Sequence, residues 1–159
     1  MYYRRSGSPG PLPRGTTQAM ANRAALRQLV GSGEPAGLIA YRGKVPVGWV
    51  SLGPREDYAK LRRSPVMKPV DALPVWSIIC FVVPSQYRGQ GVARALLDGA
   101  VAYANTRGVA LLEAYPVDKP QRSNDDFMWF GAKSMYDAAG FEEVARRKPH
   151  RPIVRIRLH

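Results

Sequence analysis

One cysteine, Cys80, and two histidines, His150 and His159, are all the thiol and imidazole side chains that the 159 residues hold. A single thiol excludes an internal disulfide and a cysteine-rich zinc site, and two histidines argue against a histidine metal cluster, so no metal is expected. Long apolar runs are missing too. None approaches the roughly 20 residues of a membrane span, and the opening MYYRRSGSPGPLPRG lacks the apolar core of a secretory signal. The expectation is a cytoplasmic protein. Acid is the third shortage: 24 Lys and Arg stand against 12 Asp and Glu, a net +12. The excess sits mostly at the ends, with five Arg and no acid in residues 1–30, 13 basic and 10 acidic residues in 31–141, and six basic and two acidic in 142–159. Charge of this kind attracts polyanions without specifying a fold, and a solvated basic enzyme surface explains it as well as nucleic-acid binding does.

What is present suits one globular domain with 45% hydrophobic residues. Residues 1–15 are rich in Pro and Gly and read as a mobile arm; residues 16–159 read as the domain. Thr16 or Thr17 can cap a helix to about Val30, with Ala25, Leu26, Leu29 and Val30 on its apolar side and glycine at 31 and 33 to stop it. Strands around 38–42 and 45–52 form a hairpin through Gly43 and Lys44. A polar excursion over 54–74 has room for one helical turn near 57–62. VWSIICFVV is apolar on both faces and therefore predicts a central strand. A helix from about Gly89 to Thr106 follows, then the strand VALLEAYPV, which should lie parallel to the strand before the helix. A polar loop over 118–126, a short helix over 132–139 and two strands around KPH complete the chain, which contains no internal repeat.

The longer helix opens unusually. Helices start with N–H groups that have no internal partner, and Ser, Thr, Asp or Asn normally supplies an acceptor. Here the start is Arg88, Gly89, Gln90 and Gly91. A bared backbone, no cap and an adjacent cation describe a site for an external anion.

QYRGQGVARALL at this crossover, with SMYDAAGF at 134–141 and the element order around them, resembles the GNAT superfamily of N-acetyltransferases. That family's helix begins Q/R-x-x-G-x-G/A, and Arg88, Gly91 and Ala93 match. The resemblance covers roughly residues 17–158. It implies a mixed α/β fold with splayed central strands, acetyl-CoA as cofactor, and a small-molecule or protein amine as acceptor. Its pyrophosphate would rest on the backbone of Gly89, Gln90, Gly91, Val92, Ala93 and Arg94 beside Arg88, and its pantetheine arm on Phe81, Val82 and Val83, where a bulge splays the strands. A strand N–H there would polarise the thioester carbonyl. Tyr136 matches the general acid. Glu113 matches a base used by some members, although an acid on an apolar strand serves equally as a partner for Arg or Lys. Trp129 stands where many members keep an Asn, with Asn124 as a possible substitute. The family's first strand and helix have no counterpart beyond MYYRR, so either Tyr2–Arg5 forms a replacement strand or the N-terminus is shortened. Trp129, Phe130, Arg62, Arg63 and Lys68 are candidates for the acceptor pocket, a monomer and a homodimer being equally open.

Cys80, flanked by apolar residues with no histidine nearby in sequence, reads as a core residue and not as an acyl carrier. Two other functions compete. Gly89, Gly91 and Glu113 have the rough spacing of a dinucleotide site, but five residues intervene between the strand end and the first glycine. A basic RNA-binding module would use the charge and the aromatic residues, although no recognition motif of that class occurs.

Overall fold

The computed structural model describes residue 4 and residues 11–34, 36–119 and 129–159. Thr17 caps α1 (Gln18–Gly31), its side chain accepting the Met20 N–H at 3.2 Å. The helix buries none of its residues: Ala25, Leu26 and Leu29 are half-buried, and Val30 points to solvent. β1 (Leu38–Arg42) and β2 (Val45–Pro54) form the expected hairpin. The excursion after it holds a short 3-10 turn and α2 (Ala59–Arg63) before β3 (Trp76–Val82). α3 (Val92–Thr106) crosses to β4 (Leu111–Ala114); α4 (Lys133–Asp137), β5 (Glu142–Lys148) and β6 (Arg151–Arg157) follow.

The six strands lie in the order β1-β2-β3-β4-β6-β5, with β3 and β4 parallel and every other pair antiparallel. β3 is central, as its apolar composition requires. The last strand inserts between β4 and β5, so the C-terminal hairpin enters the sheet by its second arm. This is no doubly wound parallel sheet, and the dinucleotide reading lacks the frame it needs.

Two cores lie on opposite faces, as the alternation along the strands dictates. On β4, Leu112 and Ala114 join α3's Leu96, Leu97, Ala100 and Ala104, whereas Tyr115 just beyond β4 joins Leu61, Met67, Ile79 and Ile153 on the other face. Each fully buried Leu of the α3 stripe contributes about 1.5–3 kcal/mol. Gly48 lets α3 approach β2: a Cβ there would lie 2.7 Å from the Val92 side chain. The second face is closed by α2 and the residues after it. Arg147 donates to the carbonyls of Val66, Lys68 and Pro69, tying this segment to β5.

Arg4 donates to Asp57 (2.8 Å), to the Leu52 carbonyl and to the Tyr58 hydroxyl, and its guanidinium stacks on the Tyr58 ring. It lies in a turn, and the rest of Tyr2–Arg5 is outside the described residues.

Candidate active site

β2 and β3 change register between Ser51 and Leu52: Ser51 faces Cys80 and Leu52 faces Ile78, so β3 carries one extra residue at Ile79. The consequence is a break in alternation. Ile78 and Phe81 point to the α3 core, while the consecutive Ile79 and Cys80 both pack on the second core. Cys80 is half-buried there and burial pushes its thiol pKa up, the opposite of an activated nucleophile.

β3 pairs with β4 only over Trp76, Ser77 and Ile78. Beyond Ala114 the chain turns to another partner: Val117 accepts from Lys133 N–H and donates to the Gly131 carbonyl, both at 2.9 Å. The two central strands therefore part, leaving the β4-side margin of Ile79–Val82 outside the β3–β4 ladder. Val82 is 51% exposed at this mouth.

The α3 start opens at the same end of β3. The helix begins at Val92, three residues after the expected Gly89, because Gly89 (φ 71°) and Gly91 (φ 79°) occupy the left-handed region that glycine tolerates. Gly91 is the N-cap and no side chain caps the helix. The first helical bond runs from Ala95 N–H to the Gly91 carbonyl, so the N–H groups of Val92, Ala93 and Arg94 lie outside the helix's own ladder. A Cβ on Gly89 or Gly91 would meet nothing within 4 Å. The first turn holds no acid.

The side chains here are arranged differently from expectation. Arg88 Nε donates to the Val83 carbonyl at 3.0 Å, turning the guanidinium back onto its own loop. Arg94 is drawn down the helix to Asp98 (2.9 Å), away from the helix start. Gln90 is held twice, donating to the Gln86 carbonyl and accepting from Arg42 Nη1 at 2.9 Å. Arg42, at the end of β1, is a cation at this loop that local sequence reasoning missed. Its contact spans 48 positions, and no local pattern announces it.

Tyr136 on α4 lies under the parted strands. Its ring meets Phe81 and Phe141 edge-on, at centroid distances of 6.5 and 5.2 Å. The side chain is completely buried, and its hydroxyl donates to the Phe130 carbonyl at 2.9 Å. Burial drives the phenol pKa well up. The Phe130 ring, expected to line the acceptor pocket, is 7% exposed and packs in the second core beneath the Arg151 guanidinium. Trp129 is half-exposed beside it. Asn124 lies outside the described residues.

Glu113 corrects the sequence reading. Open in the sequence between a base and a partner for Arg or Lys, it is fully buried, with Tyr115 donating to Oε1 at 2.6 Å and Arg155 Nε to Oε2 at 2.8 Å. Arg55 Nη1 lies 3.8 Å away. Arg155 also grips Asp71 through two bonds of 2.6 and 3.0 Å, and Arg55 donates to the carbonyls of Asp71 and Leu73. A carboxylate fully buried among these donors presents no exposed atom to a cleft. Its role is the partner of arginine, fastening the 55–74 segment to the sheet.

A model of the acetyltransferase (GNAT) family matches residues 8–141. The chain belongs to this family. No curated protein matches its sequence. The GNAT fold is shared with a ribosomal-protein-alanine N-acetyltransferase from Brucella melitensis, 22% identical, with 87% of this chain and 78% of that one covered at a TM-score of 0.56. The NatC complex, solved with Gag peptide and CoA, is 15% identical over 91% of this chain and 82% of that one, with a TM-score of 0.55. Salmonella typhimurium yncA, solved with its cofactor acetyl-CoA, is 17% identical over 88% and 74% respectively, with a TM-score of 0.56. As a GNAT acetyltransferase the chain is an acyltransferase. No helix among the described residues is long and apolar enough to cross a membrane.

Proposed function

We propose that this GNAT protein transfers the acetyl group of acetyl-CoA to a primary amine by direct attack. The observation that carries the reading is the uncapped, glycine-flanked start of α3, which lies open at the end of β3 where β3 parts from β4. The residues suit the cofactor: the space over Gly89 and Gly91 is empty of protein, no carboxylate stands in the first turn, and Arg42 adds positive charge. Val92, Ala93 and Arg94 N–H groups, together with Arg42, would hold its phosphates. The unpaired margin of Ile79–Val82 would align the pantetheine arm and orient an N–H at the thioester oxygen.

Acetyl-CoA supplies an activated acyl carbon, to which the amine nitrogen bonds as the carbon–sulfur bond breaks. Tyr136 holds a proton on its hydroxyl, and burial keeps it there throughout the neutral range. In this reading the phenol exchanges its bond to the Phe130 carbonyl for one to the departing sulfur. Glu113 takes no part: the phenol gives its proton to the departing sulfur and is restored by the proton that the amine nitrogen loses, so one proton passes in net from amine to thiol. Thermal unfolding with and without acetyl-CoA tests the proposal, with adenosine diphosphate as a control for plain anion binding. A saturable rise specific to the intact cofactor is expected; no rise from the folded chain would overturn it.

A further inference from the structure

The mouth of the site is flanked by charge of one sign. Residues 58–70 and 146–151 together contain eight Lys and Arg and no Asp or Glu. The fold makes one surface of them, since Arg147 bonds the carbonyls of Val66, Lys68 and Pro69 and Arg151 reaches the Met67 sulfur at 3.7 Å. Arg62, Arg63, Lys68 and Lys148 are exposed on it. Of the adjoining acids, Asp118 and Glu143 are both engaged by Arg146 at 2.7 Å, Asp71 by Arg155 at 2.6 Å and Asp57 by Arg4 at 2.8 Å.

The position of this surface matters as much as its sign. The β5–β6 turn bonds to the chain just past β4, with Asp118 N–H donating to the His150 carbonyl at 3.0 Å. That is the end of the sheet at which β3 and β4 part. Arg151 stacks over the Phe130 ring at 4.5 Å, and the Phe130 carbonyl accepts the Tyr136 hydroxyl. The inner edge of the surface is therefore two contacts from the phenol assigned to the reaction.

We infer that the acceptor is a polypeptide amine followed closely by Asp or Glu residues. The inference rests on the acetyl-transfer reading. Fixed cations within a Debye length of about 8 Å repel small polycationic amines and draw in an anionic chain. Nucleic acid shares that charge, but its exocyclic amines are conjugated with the bases and are weak nucleophiles. A peptide amine is an aliphatic nucleophile that carries its own acidic flank.

The test is fluorescence anisotropy with protein saturated with CoA. Three labelled peptides share a free amino terminus and differ in having Asp/Glu, Asn/Gln or Lys residues after it. The acidic peptide should bind about tenfold more tightly than the neutral one at low salt, and the advantage should shrink as salt rises. The double variant Arg62→Glu, Arg63→Glu should abolish the preference while the acetyl-CoA thermal shift stays unchanged. Lys68→Glu with Lys148→Glu repeats the test from the other side of the surface. Equal binding of acidic and neutral peptides, or displacement of the acidic peptide by a single-stranded RNA of equal charge at lower concentration, would overturn the inference. Loss of the acetyl-CoA shift in the parent protein would instead overturn the acetyl-transfer reading beneath it.

Discussion

Tyr136 and Glu113 are both fully buried ionisable side chains near the centre of the molecule, yet their chemistry diverges because of what touches them. Tyr136 makes one hydrogen bond, to a backbone carbonyl, and can exchange it. Tyr136→Phe should lower turnover about tenfold or more while acetyl-CoA affinity holds, and unchanged turnover would remove it as the acid. The lost hydroxyl bond should itself cost only about 1 kcal/mol of stability. Glu113 sits among Tyr115, Arg155 and Arg55, and removing its charge takes a partner from two buried arginines, of which Arg155 keeps Asp71. Glu113→Ala should destabilise by about 3–5 kcal/mol in a denaturant titration. Glu113→Gln keeps hydrogen-bonding atoms and should lose less, with an unaltered pH profile of turnover. Loss of the acid-side limb of that profile, where a base would protonate, would restore Glu113 as a base.

At the level of elements, the site is a junction of three: β3 with its bulge, the start of α3, and α4 beneath the parted strands. Gly91 is the narrowest requirement. Gly91→Ala imposes only left-handed strain, about 1–2 kcal/mol, on otherwise open space. Gly91→Trp adds bulk over the N–H groups of Val92–Arg94. Isothermal titration should show cofactor binding weakened in the first and abolished in the second; normal affinity in Gly91→Trp would sink the phosphate assignment. Arg42 contributes from a different hairpin, so Arg42→Ala should weaken acetyl-CoA without moving the melting temperature of the free protein. An unchanged dissociation constant would show that Arg42 serves only its own contacts, Gln90 and the Tyr87 ring.

Over the whole molecule, the pH range of stability follows from groups on both faces of the sheet. Burial raises the pKa of Tyr58, Tyr115 and Tyr136 above the ordinary 10.0, with the Glu113 charge adding to the rise at Tyr115. Stability from these phenols is complete below the unfolded value and is lost as pH climbs past it. Hydrogen bonds from Arg155 and Arg146 lower Asp71 and Glu143 below 3.8 and 4.5. Their contribution is present above those values and fades as pH falls through the lowered ones, a small effect since both are solvent-screened. The melting temperature should therefore hold a plateau through neutral pH and drop steeply above about pH 10, phenolate absorbance rising together with unfolding. The chain has eight tyrosines and Tyr41 is exposed, so the decisive signal is the part of the absorbance that rises only with unfolding; its absence would show that the three rings are accessible.

Local chemistry alone determined the frame. The apolar VWSIICFVV could satisfy itself only in the middle of a sheet, Gly89 and Gly91 could leave a helix start bare, and Thr17 could cap α1, because each depends on neighbours a few positions away. The tertiary structure decided the rest. Whether Glu113 met water or arginine depended on Arg155, 42 positions away, and on a segment folded back from residue 71. Arg42 reached the α3 loop across 48 positions, and the basic segments 58–70 and 146–151 became one surface only when Arg147 joined them. Such meetings are set by the register of strands and the path of loops, which no window of sequence contains.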